Sequence, residues 1–230
     1  MSKNDSLAQR LVAWQLQHGR HDLPWQNTHD AYRIWLSEIM LQQTQVVTVI
    51  DYYARFLDKF PTVQDLARAS QDEVLALWAG LGYYSRARNL HACAQRVVDE
   101  FDGEFPRTPE HLQTLPGIGA STAAAIAVFA YAHPAPILDG NVKRILSRVY
   151  GIRTAPSAAT DKILWVKAHE TLFTPQDAQR LTIPFERGLR AYTQGVMDLG
   201  ATLCTRTQPN CHACPWSTQC VALAENATEQ

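Results

Sequence analysis

Four cysteines crowd the end of the chain. In CTRTQPNCHACPWSTQC, Cys204, Cys211, Cys214 and Cys220 stand at C-x6-C-x2-C-x5-C. Four thiols in one short loop are hard to explain as buried small hydrophobes. As thiolates they can hold a metal centre. Zinc often uses two C-x2-C knuckles, and only one such pair is present. Closely spaced cysteines also wrap a cubane 4Fe-4S cluster, and the spacing places that cluster ahead of zinc. Cys93 stands apart on a helical stretch and reads as core.

Two carboxylates have unusual surroundings. Glu38 lies in WLSEIMLQQT, with Trp35, Leu36, Ile39, Met40 and Leu41 as neighbours. The plain reading is a solvated glutamate on the face shared with Gln42 and Gln45. Held among those apolar side chains, its carboxyl would have a raised pKa and could act as a general acid. Asp139 precedes GNVKRILSRVYGI, an amphipathic helix with Val142, Ile145, Leu146 and Val149 inward. The plain reading here is an N-cap accepting amide bonds from residues 141 and 142. Those bonds would also keep the carboxylate charged, which is what a sugar oxocarbenium ion needs beside it. Glu38 and Asp139 are therefore a candidate acid and anion pair.

LPGIGAST, residues 115–122, places Gly117 and Gly119 just before a helix. Uncovered backbone N–H groups and a helix N-terminus suit a phosphate. A tight αα-hairpin is the alternative. GLGYYSRARNL joins Tyr83 and Tyr84 to Arg86 and Arg88, a pairing suited to base stacking and phosphate contact. One core tyrosine with a solvated arginine pair would look the same. Lys143, Arg144 and Arg148 add positive charge after Asp139.

The elements that must position these groups read as helices, and the class is all-α. Leu36, Ile39, Met40, Val46, Val47, Ile50, Tyr53 and Leu57 form a helical stripe, with a break at LQQT and Thr44 as cap of the second helix. A stretch starting at Glu73 resembles one starting at Glu110, matching Leu75 with Leu112, Gly80 with Gly117 and Gly82 with Gly119. Each reads as helix, Gly-x-Gly hairpin, helix. A further helix is expected around residues 5 to 18. The chain of 230 residues has a net charge of −1, a mild argument against a nucleic-acid partner that a local basic patch would overcome. MSKNDSLAQRLVAW lacks the apolar core of a signal peptide, and AAAIAVFAYA is too short to span a membrane.

Taken together, LPW at 23–25, WLSEIMLQQTQV, FPTVQDLA, LWAGLGYYSRARNLH, LPGIGASTA, PILDGNVKRIL, MDLGATLC and the four-cysteine loop resemble the helix-hairpin-helix, Gly/Pro-Asp superfamily of DNA glycosylases. Within it the match is to the MutY adenine DNA glycosylase family, from about residue 8 to 222. The resemblance implies base excision repair of double-stranded DNA carrying A:8-oxoguanine or A:G mispairs. Glu38 falls on the acid that protonates the adenine at N7. Asp139 falls on the carboxylate that stabilises the sugar cation, and Asn141 on a positioning residue. Gln43 and Tyr83 fall on side chains that wedge into the duplex while adenine is flipped. Gly117 and Gly119 hold the phosphate-binding hairpin, and the four cysteines bind the 4Fe-4S cluster. Arg86, Ser121, Lys143 and Arg206 are taken as further DNA contacts. The related endonuclease III family carries lysine where Ser121 stands. A monofunctional hydrolase is therefore expected, with Lys143 as a slow trap for the abasic sugar.

Three departures accompany the resemblance. Family members continue into a Nudix-like domain that reads 8-oxoguanine, so weaker discrimination from guanine is expected of this chain. The segment around TLFTPQDAQRLTIPFERG is longer than usual and has no assigned role. A basic residue often found near Gln208 or Asn210 is absent. The expected organisation is a six-helix module over 25–134 and a cluster module of 1–24 with 135–224, with the active site between them and a disordered tail at 225–230. A monomer is expected, with no membrane association, in the bacterial cytoplasm at the nucleoid.

Overall fold

The computed structural model describes residues 5–228, and among them there is no β-strand. The chain divides into two compact units: 21–133, and the described residues up to Arg20 together with those from Pro134 onward. These crossings lie a few residues from the expected boundaries. Glu225 still pairs with Arg153, whereas residues 229–230 of the expected tail lie outside the described residues.

Outside the central unit, α1 (Leu7–His18) opens the chain. The central unit holds α2 (Ala31–Leu41), α3 (Val46–Lys59), α4 (Val63–Arg68), α5 (Gln71–Trp78), α6 (Tyr84–Phe101), α7 (Pro109–Leu112) and α8 (Ala120–Tyr131). Oxygen side chains cap the starts of α1 (Ser6), α2 (Asp30), α4 (Thr62) and α5 (Ser70). Aromatic side chains build the centre. Phe56 meets Trp78 edge-on at 5.7 Å, and Trp35 lies 5.1 Å from Phe105. Trp35, Phe56 and Trp78 are fully buried, and truncating one to alanine would cost about 3–5 kcal/mol. Six consecutive buried residues, Ala123 to Val128, mark α8 as the helix that runs through this core.

The break after α2 is real, but Thr44 does not cap α3. Gln45 holds that position without a side-chain bond. Four residues lie between the two helices, so the apolar stripe is not continuous. Val49, Tyr53 and Phe56 face inward from α3, and Val47 is 73% exposed. The two hairpins resemble each other only in part. Gly80 and Gly117 both have positive φ, but Gly82 is positive (76°) while Gly119 is −87°. The first helix of the second hairpin is also only four residues long.

The other unit combines α1 with α9 (Gly140–Tyr150), α10 (Ala158–Glu170), α11 (Pro175–Leu181), α12 (Phe185–Asp198), a π-helical turn (Leu199–Leu203) and α13 (Val221–Ala224). The long segment without an assigned role supplies α11, whose Asp177 anchors the N-terminal helix. Its carboxylate accepts from Ser6 Oγ at 2.8 Å and Gln9 Nε2 at 2.7 Å. Trp216, fully buried beside the cysteines, donates its indole N–H to the Leu7 carbonyl at 2.8 Å. Beyond the other end of α1, Arg20 pairs with buried Asp198 at 2.7 Å.

Candidate active site and metal centre

Glu38 sits in the last turns of α2. Ser37, Ile39 and Met40 around it are buried, and Glu38 itself is half-buried. The helix is thus fixed on the core by its apolar face, with the carboxylate at the edge of that face.

Two loops of the same unit carry Gln43 and Tyr83. Both residues are exposed, and both adopt the left-handed conformation, with φ of 56° and 49°. For a side chain other than glycine this costs about 1–2 kcal/mol. Between the two loops lies Arg86, which was expected to contact DNA and is instead buried against backbone carbonyls. Arg86 is 8% exposed. Its Nη1 donates to the carbonyls of Ile39, Met40 and Gln42 at 3.0, 2.8 and 2.6 Å. Its Nη2 donates to Thr44 Oγ1 at 3.0 Å and to the carbonyls of Leu81 and Gly82 at 3.3 and 3.4 Å. Burial lowers its pKa from the ordinary guanidinium value. The group stays charged, because the C-terminal carbonyls of α2 face it.

The glycine hairpin precedes α8. Gly117 needs its positive φ of 76°, and a Cβ there would lie 2.9 Å from Asn89 Cβ. Gly119 takes the N-cap position with φ −87° and no side-chain cap bond. A Cβ on Gly119 would meet nothing within 4 Å. The first turn of α8 therefore opens on space suited to an anion. Ser121 lies in that turn, half-buried.

In the other unit Asp139 caps α9. Its carboxylate is exposed and takes one amide bond, from Val142 at 2.8 Å, rather than the expected two. Asn141 follows, its side-chain oxygen accepting from Arg144 Nη1 at 2.9 Å. Arg144 also donates from Nε to the Cys204 carbonyl at 2.9 Å and from Nη2 to the Gly200 carbonyl at 2.8 Å. Gly200 admits this contact, since a Cβ there would approach Asn141 Cβ to 2.7 Å. Lys143 pairs with Asp161 at 2.7 Å, an exposed bridge worth at most about 1 kcal/mol.

The four cysteines line one cavity, together with Arg148, Leu199 and Trp216. Arg148 is a second correction to the basic face expected after Asp139. It is 7% exposed, with Nη1 on the Thr205 carbonyl at 2.6 Å and 3.4 Å from Cys204 Sγ. Its Nη2 reaches the Arg206 carbonyl at 3.0 Å. Arg206 itself is exposed. Burial, reinforced by the other three thiols, pushes the Cys214 thiol up to about 12, and burial also raises Cys211. Thiols of this kind lose their protons to a bound metal centre. No three His, Cys, Asp or Glu side chains among the described residues converge on a site for a metal ion.

From the sequence Arg144 reads as surface charge. Its position three residues after Asn141, on the same helical face, was the available signal. Asp161 and Gly200 gave none.

The description of HhH-GPD superfamily base excision DNA repair proteins matches residues 36–170, more than half of the chain. The chain belongs to this superfamily. It is 45% identical to the adenine DNA glycosylase of Homo sapiens over 96% of its own length and 40% of that protein's. It is 40% identical to that of Buchnera aphidicola subsp. Schizaphis graminum, over 95% of its own length and 60% of the relative's. The chain thus spans less than two thirds of each of these relatives. Among solved structures, a thermostable thymine-DNA glycosylase superposes with a TM-score of 0.82 at 26% identity, each chain covered to 95%. An endonuclease III–DNA complex superposes with a TM-score of 0.72 at 20% identity, over 95% of this chain and 94% of that one, a likeness of fold. Superfamily membership agrees with the all-α class and with the hairpin before α8.

Proposed function

We propose that the chain is a monofunctional DNA glycosylase that flips adenine from A:8-oxoguanine or A:G mispairs and hydrolyses its glycosidic bond. The observation that carries this reading is the 45% identity to an adenine DNA glycosylase across 96% of this chain. In the proposed reaction Glu38 donates a proton to the adenine leaving group. Asp139, its carboxylate held by the Val142 amide, stabilises the sugar cation until water completes the hydrolysis. Asn141 orients this end of α9 through Arg144. The hairpin at Gly117 and Gly119 holds a phosphate, as do Lys143 and Arg206, while Gln43 and Tyr83 occupy the space the adenine leaves.

The donor type of the cysteine loop, four thiols within 17 residues, supports an iron–sulfur cluster. Four thiols line one cavity, and a cubane takes one thiolate on each iron rather than four on one ion. Cys204, Cys211, Cys214 and Cys220 would hold a 4Fe-4S cluster. When bound, it would fix the shape of the loop that carries Arg206 and supply no step of the hydrolysis. Broad visible absorbance with about four irons per chain supports the cluster, and colourless zinc-loaded protein overturns it. With DNA as partner, we place the protein at the nucleoid of a bacterial cytoplasm, as a monomer. No described helix is long and apolar enough to cross a membrane.

A second reading, removal of thymine or uracil from mismatches, is favoured by the structural likeness to a thymine-DNA glycosylase. One duplex panel separates the two. Release of adenine opposite 8-oxoguanine and guanine is expected. Release of thymine or uracil opposite guanine without loss of adenine would overturn the adenine assignment. A non-catalytic lesion-binding protein would bind these duplexes and release no base.

A further inference from the structure

Gln43 and Tyr83, both exposed and both left-handed, stand on loops that are far apart in sequence. One buried side chain touches both loops. The Arg86 guanidinium bonds the carbonyls of Ile39, Met40 and Gln42 and the hydroxyl of Thr44 on one side, and the carbonyls of Leu81 and Gly82 on the other. It also lies 5.4 Å from the Tyr83 ring centre and 5.3 Å from that of Trp78. Among the described residues Arg86 makes no ion pair, so its charge is met by backbone dipoles. A core needing only volume would be filled more cheaply by an apolar side chain than by a buried cation. A planar fork that spans two loops has a geometric role that lysine cannot reproduce.

We propose that Arg86 is a positioning residue that fixes the Gln43 and Tyr83 loops against each other, so that both side chains meet the duplex as one preorganised wedge. This rests on the glycosylase reading above. Each loop holds its exposed residue in a conformation it would leave if released. Without the clamp the two side chains would enter the stack independently, and each would first have to be ordered on the DNA.

The test uses the full chain and duplexes carrying 2-aminopurine beside the target adenine, whose fluorescence rises on unstacking. Arg86→Lys keeps the charge but cannot reach all six acceptors, so it is expected to lower the thermal midpoint while the protein stays folded at the assay temperature. It should lose most of the fluorescence rise and at least tenfold in single-turnover base release. Gln43→Ala and Tyr83→Ala should each slow the wild type strongly, and each should slow Arg86→Lys less than twofold further. A variant that matches wild type in fluorescence and rate overturns the proposal. So does a variant in which the wedge substitutions multiply as they do in wild type. Should Arg86→Lys fail to fold, Thr44→Val removes one acceptor at constant shape. It should produce a smaller loss of the same fluorescence, and an unchanged signal overturns the proposal. Wild-type protein that unstacks the probe but releases no adenine would overturn the catalytic reading alone, and the fluorescence comparison would still decide on Arg86.

Discussion

Arg144 joins Asn141 to the cysteine loop. One guanidinium donates to the Asn141 side-chain oxygen and to the Cys204 carbonyl, each at 2.9 Å. The residue next but one to Asp139 and the first cysteine of the loop are thereby held by one side chain. Hydrogen bonds from a charged donor contribute about 1.5–3 kcal/mol each. Arg144→Met keeps the length and removes all three bonds. It is expected to slow base release at least tenfold and to reduce the iron bound per chain, read by single-turnover kinetics and metal analysis. Unchanged values for both would show that the link positions nothing.

The two carboxylates are expected to differ from that linker in how they fail. General acid catalysis contributes about 10²–10⁴-fold. Glu38→Gln and Asp139→Asn should each lower base release by at least a hundredfold, with duplex affinity and bound iron unchanged. Asp139→Asn keeps an oxygen for the Val142 amide, so the cap survives and only the charge is lost. A rate within tenfold of wild type for either variant would remove that residue from the chemistry.

Much of this site was legible because glycine, cysteine and cap residues act locally. The hairpin at Gly117, the capping Asp139 and the four-cysteine loop follow from residue type and spacing. The destinations of long side chains did not. Arg86 and Arg148 look like solvated charges beside Tyr83 and on α9, yet both are buried on carbonyls of distant segments. Val47 continued the apolar stripe, but four intervening residues reset the helical phase and turned it outward. The role of Asp177 depends on Ser6 and Gln9, far away in sequence.

That anchor predicts a pH dependence of stability. Burial works to raise the Asp177 pKa, but bonds from Thr174, Ser6 and Gln9 outweigh it, and the net shift is downward from 3.8. A carboxylate depressed by folding adds stability that is fully present above its unfolded pKa and is lost as pH falls through the folded one. Asp177→Asn should therefore lower the thermal midpoint at neutral pH. The gap to wild type should close below about pH 4, the ordinary carboxylate range. Calorimetry across pH 2–7 reads this, and a gap that persists unchanged at the acid end would refute it.

The two hairpin glycines make the sharpest test of a phosphate site, because the fold needs one and tolerates change at the other. Gly117→Ala forces alanine to a φ of 76° with its Cβ 2.9 Å from Asn89 Cβ, so it should cost about 1–2 kcal/mol of stability. Gly119 has an ordinary φ and open space around its missing Cβ. Gly119→Ala should cost less than about 1 kcal/mol, the penalty of alanine at an N-cap, while it fills the approach to the first turn of α8. Duplex affinity should then fall severalfold. The salt dependence should flatten by less than the change of about 0.9 in the slope of log K against log salt that a lysine or arginine contact supplies, because the hairpin offers backbone N–H groups and only a partial charge. Equal affinity and equal slope for Gly119→Ala and wild type would mean that no phosphate rests on this helix end, and that the hairpin serves only to turn the chain.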